Sequence, residues 1–241
     1  MKVLVIPDIH LKPWIFEKAE EILKAGKADK AVCLMDIPDD WGMELKTDKY
    51  EETLEVAYNF ALKHPDSLWC WGNHDVSYLW GKLESGYSPY AEEIVEYGFE
   101  GFEDALTAPS QLAFIHRIDK VLFMHGGLTE SFIANYLGEK YLQYDIDDVI
   151  KAINDLGPDA LWHDDSPLWL RPQSGYHAIF RKDEYKQVVG HTPVTEIYEK
   201  EGVISTDVFS TYPNGQQIGE SAMIVIETTT GEFEKLPITQ F

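Results

Sequence analysis

The chain has 241 residues, of which 44% are hydrophobic, and its 42 acidic and 20 basic side chains give a formal net charge of −22. This length and composition predict one large α/β domain over residues 1–241 rather than two small ones. The charge argues against extended nucleic-acid binding, because such surfaces neutralise phosphates with clustered lysine and arginine.

The chain shows no signal for export or for a membrane span. Its start, MKVLVIPDIH, has only four apolar residues before Pro7, too few for a signal peptide, and no later run reaches the 18 or so residues of a spanning helix. Cys33 and Cys70 lie in apolar, strand-like runs, which favours buried thiols over a disulfide or a metal site. We therefore expect a soluble, cytoplasmic protein.

The first 75 residues alternate between predicted strands and helices. Buried strands are predicted at KVLVI, KAVCLM and SLWCW, because these short runs are continuously apolar. Between them, WIFEKAEEILKAG and TDKYEETLEVAYNFALKH have the apolar spacing of amphipathic helices. This β-α-β-α-β unit is typical of a parallel sheet.

The rest of the chain is less regular. Residues 76–110 mix aromatics, glycines and short helical patterns, which fits either an ordinary helical excursion or a cap or insertion beside a site. QLAFIHRI and KVLFMH predict a hairpin that turns near Asp119 and Lys120, and DIDDVIKAINDLG predicts a capped helix. Four further strands are predicted at KQVVGHT, GVISTD, SAMIVIE and EFEKLPI.

Polar residues follow five of the predicted strands at the point where each strand ends. These residues are Asp8, His10, Asp36, Asp39, Asn73, His74, Asp75, His125 and His191. Parallel strands present their carboxyl ends at one edge of a sheet, where open α/β folds bind ligands. A lone histidine at such a place is more often a satisfied polar group than a ligand. The combination, however, indicates a metal site with oxygen and imidazole ligands.

The same residues lie in blocks that resemble the calcineurin-like metallophosphoesterases. The blocks are DIH (8–10), MDIPDD (35–40), GNHD (72–75), HGGL (125–128), LWLRP (168–172) and GHTPV (190–194). Many metallophosphoesterases end this last block in Gly-His-x-His, but GHTPV lacks the second histidine. This omission, with the order of the blocks, makes the chain most similar to the branch of serine/threonine protein phosphatases and bacterial diadenosine tetraphosphatases. The resemblance implies an α/β/β/α two-sheet sandwich with the metal site at the carboxyl ends of the strands.

The resemblance also implies a dinuclear metal site. One ion would be held by Asp8, His10 and Asp36, and the other by Asp36, Asn73, His125 and His191, with Asp36 as the bridge. Two divalent ions, with Mn²⁺ expected and Fe or Zn as alternatives, would share a bridging hydroxide for in-line attack on a phosphoester.

The remaining implied roles concern proton transfer and phosphate binding. His74 would be the general acid, with Asp39 orienting its imidazolium, although His74 could instead be structural. Arg171 would bind phosphoryl oxygens, the alternative being a surface salt bridge, and Asn73 and Trp41 are further candidate substrate contacts.

Two residues depart from the family's Gly-Asp-x-x-Asp-Arg motif. Met35 replaces the glycine and Asp40 replaces the arginine, which in protein phosphatases clamps phosphate. Three explanations remain open for Asp40: Trp41 faces the substrate, Arg117 or Arg181 substitutes for the arginine, or Asp40 points away.

Four histidines lie outside the blocks. His163 and His177, near the LWLRP block, are candidates for lining the pocket without binding metal. His64 and His116 are predicted to be structural.

Three functions fit these residues. The first is a two-metal phosphatase acting on a phosphoprotein or small phosphate ester. The second is a nucleotide phosphohydrolase of the diadenosine tetraphosphatase kind, with the aromatic residues of 76–110 stacking on a base. The third, motivated by Asp40, is a metal-binding regulatory module with weak or no catalysis.

Overall fold

The structure is a computed structural model, and it describes residues 1–238. Within them the strands are β1 (Lys2–Ile6), β2 (Lys30–Cys33), β3 (Leu68–Cys70), β4 (Leu112–Ala113), β5 (Ile115–Ile118), β6 (Val121–Met124), β7 (Lys186–Val189), β8 (Tyr198–Lys200), β9 (Val203–Ser205), β10 (Ala222–Glu227) and β11 (Glu232–Pro237). The helices are α1 (Trp14–Lys24), α2 (Thr47–Lys63), α3 (Asn73–Leu79), α4 (Glu92–Ala105), α5 (Glu130–Tyr136), α6 (Ile146–Asn154) and α7 (Pro158–Leu161).

The strands form two sheets. The first has the order β11-β10-β1-β2-β3-β4, and its strands β1 to β4 are parallel, as predicted for the amino-terminal half. The second has the order β5-β6-β7-β9-β8, in which β6, β7 and β9 are parallel. The hairpin of β5 and β6 is confirmed, and β8 is a strand that the sequence did not predict.

Burial along β6 shows how the layers stack. Val121 and Phe123 belong to the core that contains the first sheet, whereas Leu122 and Met124 belong to a second core with residues of α5 and α6. Successive side chains of a strand point to opposite faces of the sheet, so the second sheet has a core on each side. The fold is thus the two-sheet α/β sandwich that the sequence resemblance implies.

The predicted strand QLAFIHRI is divided between the two sheets. Its first part, β4, pairs with β3, and its second part, β5, pairs with β6. Asn154 stabilises the crossover, because its Oδ1 accepts hydrogen bonds from the backbone N–H groups of Phe114 and Ile115. The apolar pattern cannot mark this change of sheet, since residues on both sides of it are suited to strands.

The segment 76–110 serves two purposes. Its second half is α4, which packs against α2 and buries Val95, Phe99 and Phe102 in the first core. The short stretch 84–86, by contrast, lines the cleft described below. At the start of the segment, Tyr78 also contacts the site, because its hydroxyl donates to Asp39.

Two further expectations can be compared with the described residues. Cys33 and Cys70 are both buried and free, as predicted. No helix in the described part of the chain combines the length and the apolar content needed to cross a membrane.

Candidate metal centre and adjoining cleft

The six predicted metal ligands lie together where the two sheets meet. Asp8, Asp36 and Asn73 follow β1, β2 and β3 of the first sheet, and His125 and His191 follow β6 and β7 of the second. All five are buried, and His10 is partly buried beside them. The site therefore requires both sheets, because neither carries the whole ligand set.

Distances divide these residues into two overlapping groups. One ligand atom each from Asp8, His10 and Asp36 lie within 4.8 Å of one another, and so do ligand atoms of Asp36, His125 and His191. Asn73 joins the second group, because its Oδ1 is 3.0 Å from Nε2 of His125. Asp36 belongs to both groups and so lies where a bridging ligand would be expected.

Hydrogen bonds fix which nitrogen two of the histidines present. Nδ1 of His125 lies 3.0 Å from the carbonyl oxygen of Leu34, and Nδ1 of His10 lies 3.0 Å from that of Asp39. A carbonyl oxygen can only accept, so each Nδ1 carries a proton and Nε2 is the nitrogen that each ring turns toward the site. Both Nε2 atoms face Oδ2 of Asp36, at 3.1 and 3.8 Å.

Two buried polar atoms in the site have no hydrogen-bond partner among the described residues. They are Oδ1 of Asp8 and Nε2 of His191. Leaving such atoms unpaired in a protein interior is costly, and native proteins seldom do so. Coordination of a cation would satisfy both, so the residues fit the divalent metals that the sequence implies.

The electrostatics of the site also favour bound cations. Burial, and then the charge of Asp207, raises the pKa of Asp8 well above its ordinary value. Burial also opposes ionisation of Asp36, but the charges of His125 and His74 outweigh it and lower the pKa of Asp36. A divalent cation between these carboxylates would stabilise both in the ionised form.

The backbone around the site is strained. Six non-glycine residues have φ between 43° and 67°, the left-handed region that L-residues avoid, namely His10, Leu11, Met35, Asp36, Asp39 and His191. Strain of this kind concentrates at functional sites. Met35 stands at the family's glycine position and has φ 55°, a backbone conformation that glycine adopts without strain. Unlike glycine, Met35 has a side chain, and this side chain is buried in the core.

Two glycines allow the carboxylates to approach the backbone closely. A Cβ atom at Gly72 would overlap with Oδ1 of Asp36, and one at Gly190 would overlap with Oδ1 of Asp8. These glycines belong to the GNHD and GHTPV blocks. Each glycine therefore leaves the space that a candidate metal-ligand carboxylate occupies.

The sequence analysis gave no role to two buried aspartates in the site. Asp75 accepts hydrogen bonds from the backbone N–H groups of Asp36, Ile37 and Gly72, which fixes the loop that carries Asp36. Asp207 accepts from the hydroxyl and the backbone N–H of Ser210. Asp75 lies in the GNHD block and Asp207 ends the predicted strand GVISTD, but only the folded chain gives their contacts.

His74 and Asp39 form a hydrogen-bonded pair above Asp36. Nδ1 of His74 lies 2.9 Å from Oδ2 of Asp39, and the backbone N–H of His74 donates to Oδ1 of Asp36 at 2.9 Å. Burial lowers the pKa of His74, but the charge of Asp36 and the Asp39 hydrogen bond outweigh it and raise this pKa to about 9. His74 is therefore protonated at neutral pH.

A cleft with a volume of about 290 Å³ adjoins these residues. Its walls include the candidate substrate contacts Arg171, Trp41 and Asn73. Arg171 is exposed, and its Nη1 donates to the carbonyl oxygen of His191 at 3.0 Å, so the guanidinium is anchored beside the metal ligands. Among the described residues Arg171 makes no salt bridge, so the alternative role as a surface salt bridge is not observed.

The other two arginines do not reach the cleft. Arg117 forms a surface ion pair with Asp147, with nitrogen–oxygen distances of 2.6 and 2.7 Å, and Arg181 donates to the carbonyl oxygens of Leu142 and Tyr144. Neither can replace the family's arginine, which corrects that part of the sequence interpretation.

The extra histidines also lie outside the cleft walls. His163 contacts the ring of Tyr136, and His177 contacts the carbonyl oxygen of Ser174. The proposal that they line the pocket is therefore wrong. His116, whose Nε2 lies 3.0 Å from the carbonyl oxygen of Trp69, is structural as predicted.

Asp40 lines the cleft, but its charge is neutralised. Its Oδ2 accepts a hydrogen bond from Nζ of Lys12 at 2.8 Å, and its Oδ1 accepts one from Oγ1 of Thr211 at 2.6 Å. Burial raises the pKa of Asp40, but the charge of Lys12 outweighs it, and the net effect is a lowered pKa. Asp40 is therefore an ionised, paired carboxylate and does not point away from the site.

Comparisons with known proteins agree with this architecture. A family model described as calcineurin-like phosphoesterase matches residues 1–222. A cold-active protein-tyrosine phosphatase from a psychrophilic Shewanella species has a similar structure, with a TM-score of 0.61, 19% identity, and coverage of 98% of this chain and 80% of that one. A hypothetical protein from Pyrococcus horikoshii OT3 is also similar, with a TM-score of 0.51, 16% identity, and coverage of 98% of this chain and 87% of that one. None of the curated proteins matches the chain.

Proposed function

The chain belongs to the calcineurin-like phosphoesterase family and is thus a hydrolase, and from this premise we propose that it is a two-metal phosphomonoesterase. Its substrate would be a phosphoprotein or a small phosphate ester. The observation that carries the proposal is the location of an Asp39-paired His74 directly above Asp36, where both groups of candidate metal ligands meet.

The family uses divalent metals, and six side chains here would hold two of them. Asp8 and His10 would bind one ion, Asn73, His125 and His191 the other, and Asp36 both. When bound, such ions activate water and neutralise charge on the phosphoryl group. We propose Mn²⁺, with Fe and Zn as alternatives, because carboxylate, amide and imidazole ligands suit all three.

His74 would supply the proton that the leaving oxygen needs. Hydrolysis of a phosphomonoester breaks a P–O bond and leaves an alkoxide or a phenoxide, which is a poor leaving group without a proton. His74 is partly buried, lines the cleft, and is held by Asp39 through Nδ1, so its Nε2–H is available to the substrate. Tyr50 and Tyr78 hold Asp39 in turn by donating to its other oxygen, at 3.0 and 2.6 Å.

Arg171 would bind the phosphoryl oxygens that do not react. Its anchor on the carbonyl oxygen of His191 uses one nitrogen, and the guanidinium lines the cleft. A planar guanidinium can donate two parallel hydrogen bonds to a phosphoryl group, which orients the group as well as neutralising it.

A substrate assay with defined metal content tests this function. The protein is stripped of metal with a chelator, reconstituted separately with Mn²⁺, Fe²⁺ or Zn²⁺, and assayed with a generic aryl phosphate. We expect turnover that is nearly abolished in Asp36→Asn and in His74→Ala and retained in the control His163→Ala, whose side chain lies outside the cleft. Full activity in both site variants would contradict the proposal.

The nucleotide phosphohydrolase hypothesis has less support. It depended on the aromatic residues of 76–110, a segment that contributes Glu84, Ser85 and Gly86 to the cleft walls and none of its aromatic residues. The regulatory-module hypothesis depended on repulsion by Asp40, but Lys12 neutralises that carboxylate. Product analysis with diadenosine tetraphosphate alongside phosphopeptides distinguishes the first alternative, and robust turnover of a phosphoester excludes the second.

A further inference from the structure

Two large aromatic side chains stand half-exposed in the walls of the cleft. Trp41 is 52% exposed and Tyr212 is 47% exposed, yet both line the cleft together with His74 and the metal-ligand residues. Pro193, Pro213 and Ile218 add further apolar surface. Exposed aromatic faces that converge on a polar site are typical of ligand recognition, because a ring can stack on them.

The carboxylate of Asp40 connects the segments that carry these aromatics. Its Oδ1 accepts from the backbone N–H of Trp41 at 2.9 Å and from the hydroxyl of Thr211, the residue before Tyr212, at 2.6 Å. Trp41 and Thr211 are far apart in the sequence, and both donate to this one oxygen atom. The backbone N–H of Tyr212 also donates to the carbonyl oxygen of Gln216, which fixes the Tyr212 side of the cleft.

Lys12 allows a carboxylate to occupy this position. Its ammonium group is largely buried and donates both to Asp40 and to the carbonyl oxygen of His10, at 2.8 and 2.9 Å. The negative charge of Asp40 is thereby balanced close to where a dianionic phosphate would bind. Asp40, at the position of the family's arginine, is thus placed to organise the cleft wall instead of binding phosphate.

We propose that Trp41 and Tyr212 form a subsite for a planar aromatic leaving group, with Asp40 as its positioning residue. This inference rests on the proposed phosphomonoesterase function and names its substrate class, an aryl phosphomonoester. Trp41 follows Asp39 by two residues, and Asp39 holds the His74 that protonates the leaving oxygen. The aromatic ring of the substrate is therefore expected to be bonded directly to the leaving oxygen. In a nucleotide, by contrast, the sugar separates the base from that oxygen.

The chemistry balances without any further reactant. Water adds its oxygen to phosphorus, the P–O bond to the aryl group breaks, and His74 gives its proton to the departing phenoxide, which leaves as a phenol. One proton of the water stays on the phosphate, and the other restores the proton of His74. An aliphatic leaving group, such as that of a phosphoseryl residue, would leave the faces of Trp41 and Tyr212 in contact with water. The subsite therefore discriminates in favour of aromatic esters.

The test compares two peptides of identical sequence that differ only in a phosphotyrosyl or a phosphoseryl residue. For each protein, the ratio of kcat/KM for the two peptides measures the preference. We expect Trp41→Ala and Tyr212→Ala each to lower this ratio by about 10-fold to 100-fold, the loss that removal of one stacking partner produces. Tyr97→Ala is the control, because Tyr97 is 70% exposed on α4 and lies outside this cleft.

Variants of Thr211 test whether Asp40 positions the subsite or whether a substitution merely disturbs the structure of the cleft wall. Thr211→Val removes the donor to Asp40 at nearly constant volume and is expected to lower the preference through KM for the phosphotyrosyl peptide. Thr211→Ser keeps the donor and is expected to restore the preference. Equal ratios in all Thr211 variants would overturn the role of Asp40.

The remaining outcomes distinguish this inference from the function on which it rests. An unchanged ratio in Trp41→Ala and Tyr212→Ala, with activity retained, would overturn the subsite alone. A loss confined to nucleoside monophosphates would overturn it in favour of base recognition. If the unsubstituted, metal-loaded protein hydrolyses neither peptide nor the generic aryl phosphate, the proposed function and the subsite are overturned together.

Discussion

Nδ1 of His74 lies 2.9 Å from Oδ2 of Asp39, a carboxylate whose other oxygen accepts hydrogen bonds from the hydroxyls of Tyr50 and Tyr78. Asp39 is buried, so its charge acts on His74 with little screening by water. The pair therefore fixes both the orientation and the protonation of the imidazole.

Replacing Asp39 with Asn is expected to change the pH dependence of turnover as well as its rate. In the proposed mechanism the imidazolium of His74 is the acid, so activity is lost as pH rises through the pKa of His74. This pKa is about 9 without bound metal, and cations on Asp36 would lower it, because the charge of Asp36 is one of the causes that raise it. Removing the charge of Asp39 lowers this pKa, and the alkaline limb should move to lower pH, with kcat reduced roughly 10- to 100-fold. Tyr50→Phe leaves the charge in place, and an equal downward shift in that variant would contradict the explanation.

Arg171→Ala is expected to lower kcat/KM by about 10²- to 10³-fold, because it removes a charged donor to the phosphoryl group. Arg171→Lys should recover part of the loss, since it restores the charge without the planar pair of donors. Steady-state kinetics check both variants. The matched control is Arg117→Ala, which removes a surface ion pair with Asp147 and should change kcat/KM by no more than about twofold.

Gly190→Ala should weaken metal binding, because the new Cβ would overlap with Oδ1 of Asp8 and displace that ligand. We expect a loss of about 10- to 100-fold in affinity for Mn²⁺, the range found when groups that orient a ligand are altered. Titration against a chromophoric chelator measures it. Gly101→Ala, in the middle of α4 with no atom within 4 Å of the new Cβ, should leave the affinity unchanged and stabilise the protein by about 0.5–1 kcal/mol.

Binding of Mn²⁺ should raise the melting temperature of the metal-free protein, because the ion relieves repulsion among the buried carboxylates of Asp8, Asp36 and Asp207. At 100 times the dissociation constant the stabilisation is about 2.7 kcal/mol, a shift of roughly 5–10 °C in a protein of this size. Differential scanning calorimetry checks the shift. It should largely disappear in Asp36→Asn and persist in Asp164→Asn, an exposed control; equal shifts in both would indicate nonspecific binding to the acidic surface.

The candidate metal-binding residues of the first sheet, and the sheet edge where they meet, can be predicted from the sequence alone. The runs KVLVI, KAVC and LWC are continuously apolar and become β1, β2 and β3, whose parallel pairing brings Asp8, Asp36 and Asn73 to one edge. Strand formation depends on local pattern, and parallel strands end at the same edge, so the position of these ligands follows from short stretches of sequence.

The contacts of Asp40, by contrast, become visible only in the folded chain. From the sequence, Asp40 was a lost phosphate contact with three open explanations, because nothing local says which cation neutralises a carboxylate. The folded chain places Lys12, 28 positions earlier, and Thr211, 171 positions later, on its two oxygens. Similarly, the division of QLAFIHRI between two sheets depends on Asn154. Such contacts depend on how distant loops approach one another in space, which neither periodicity nor motif spacing encodes.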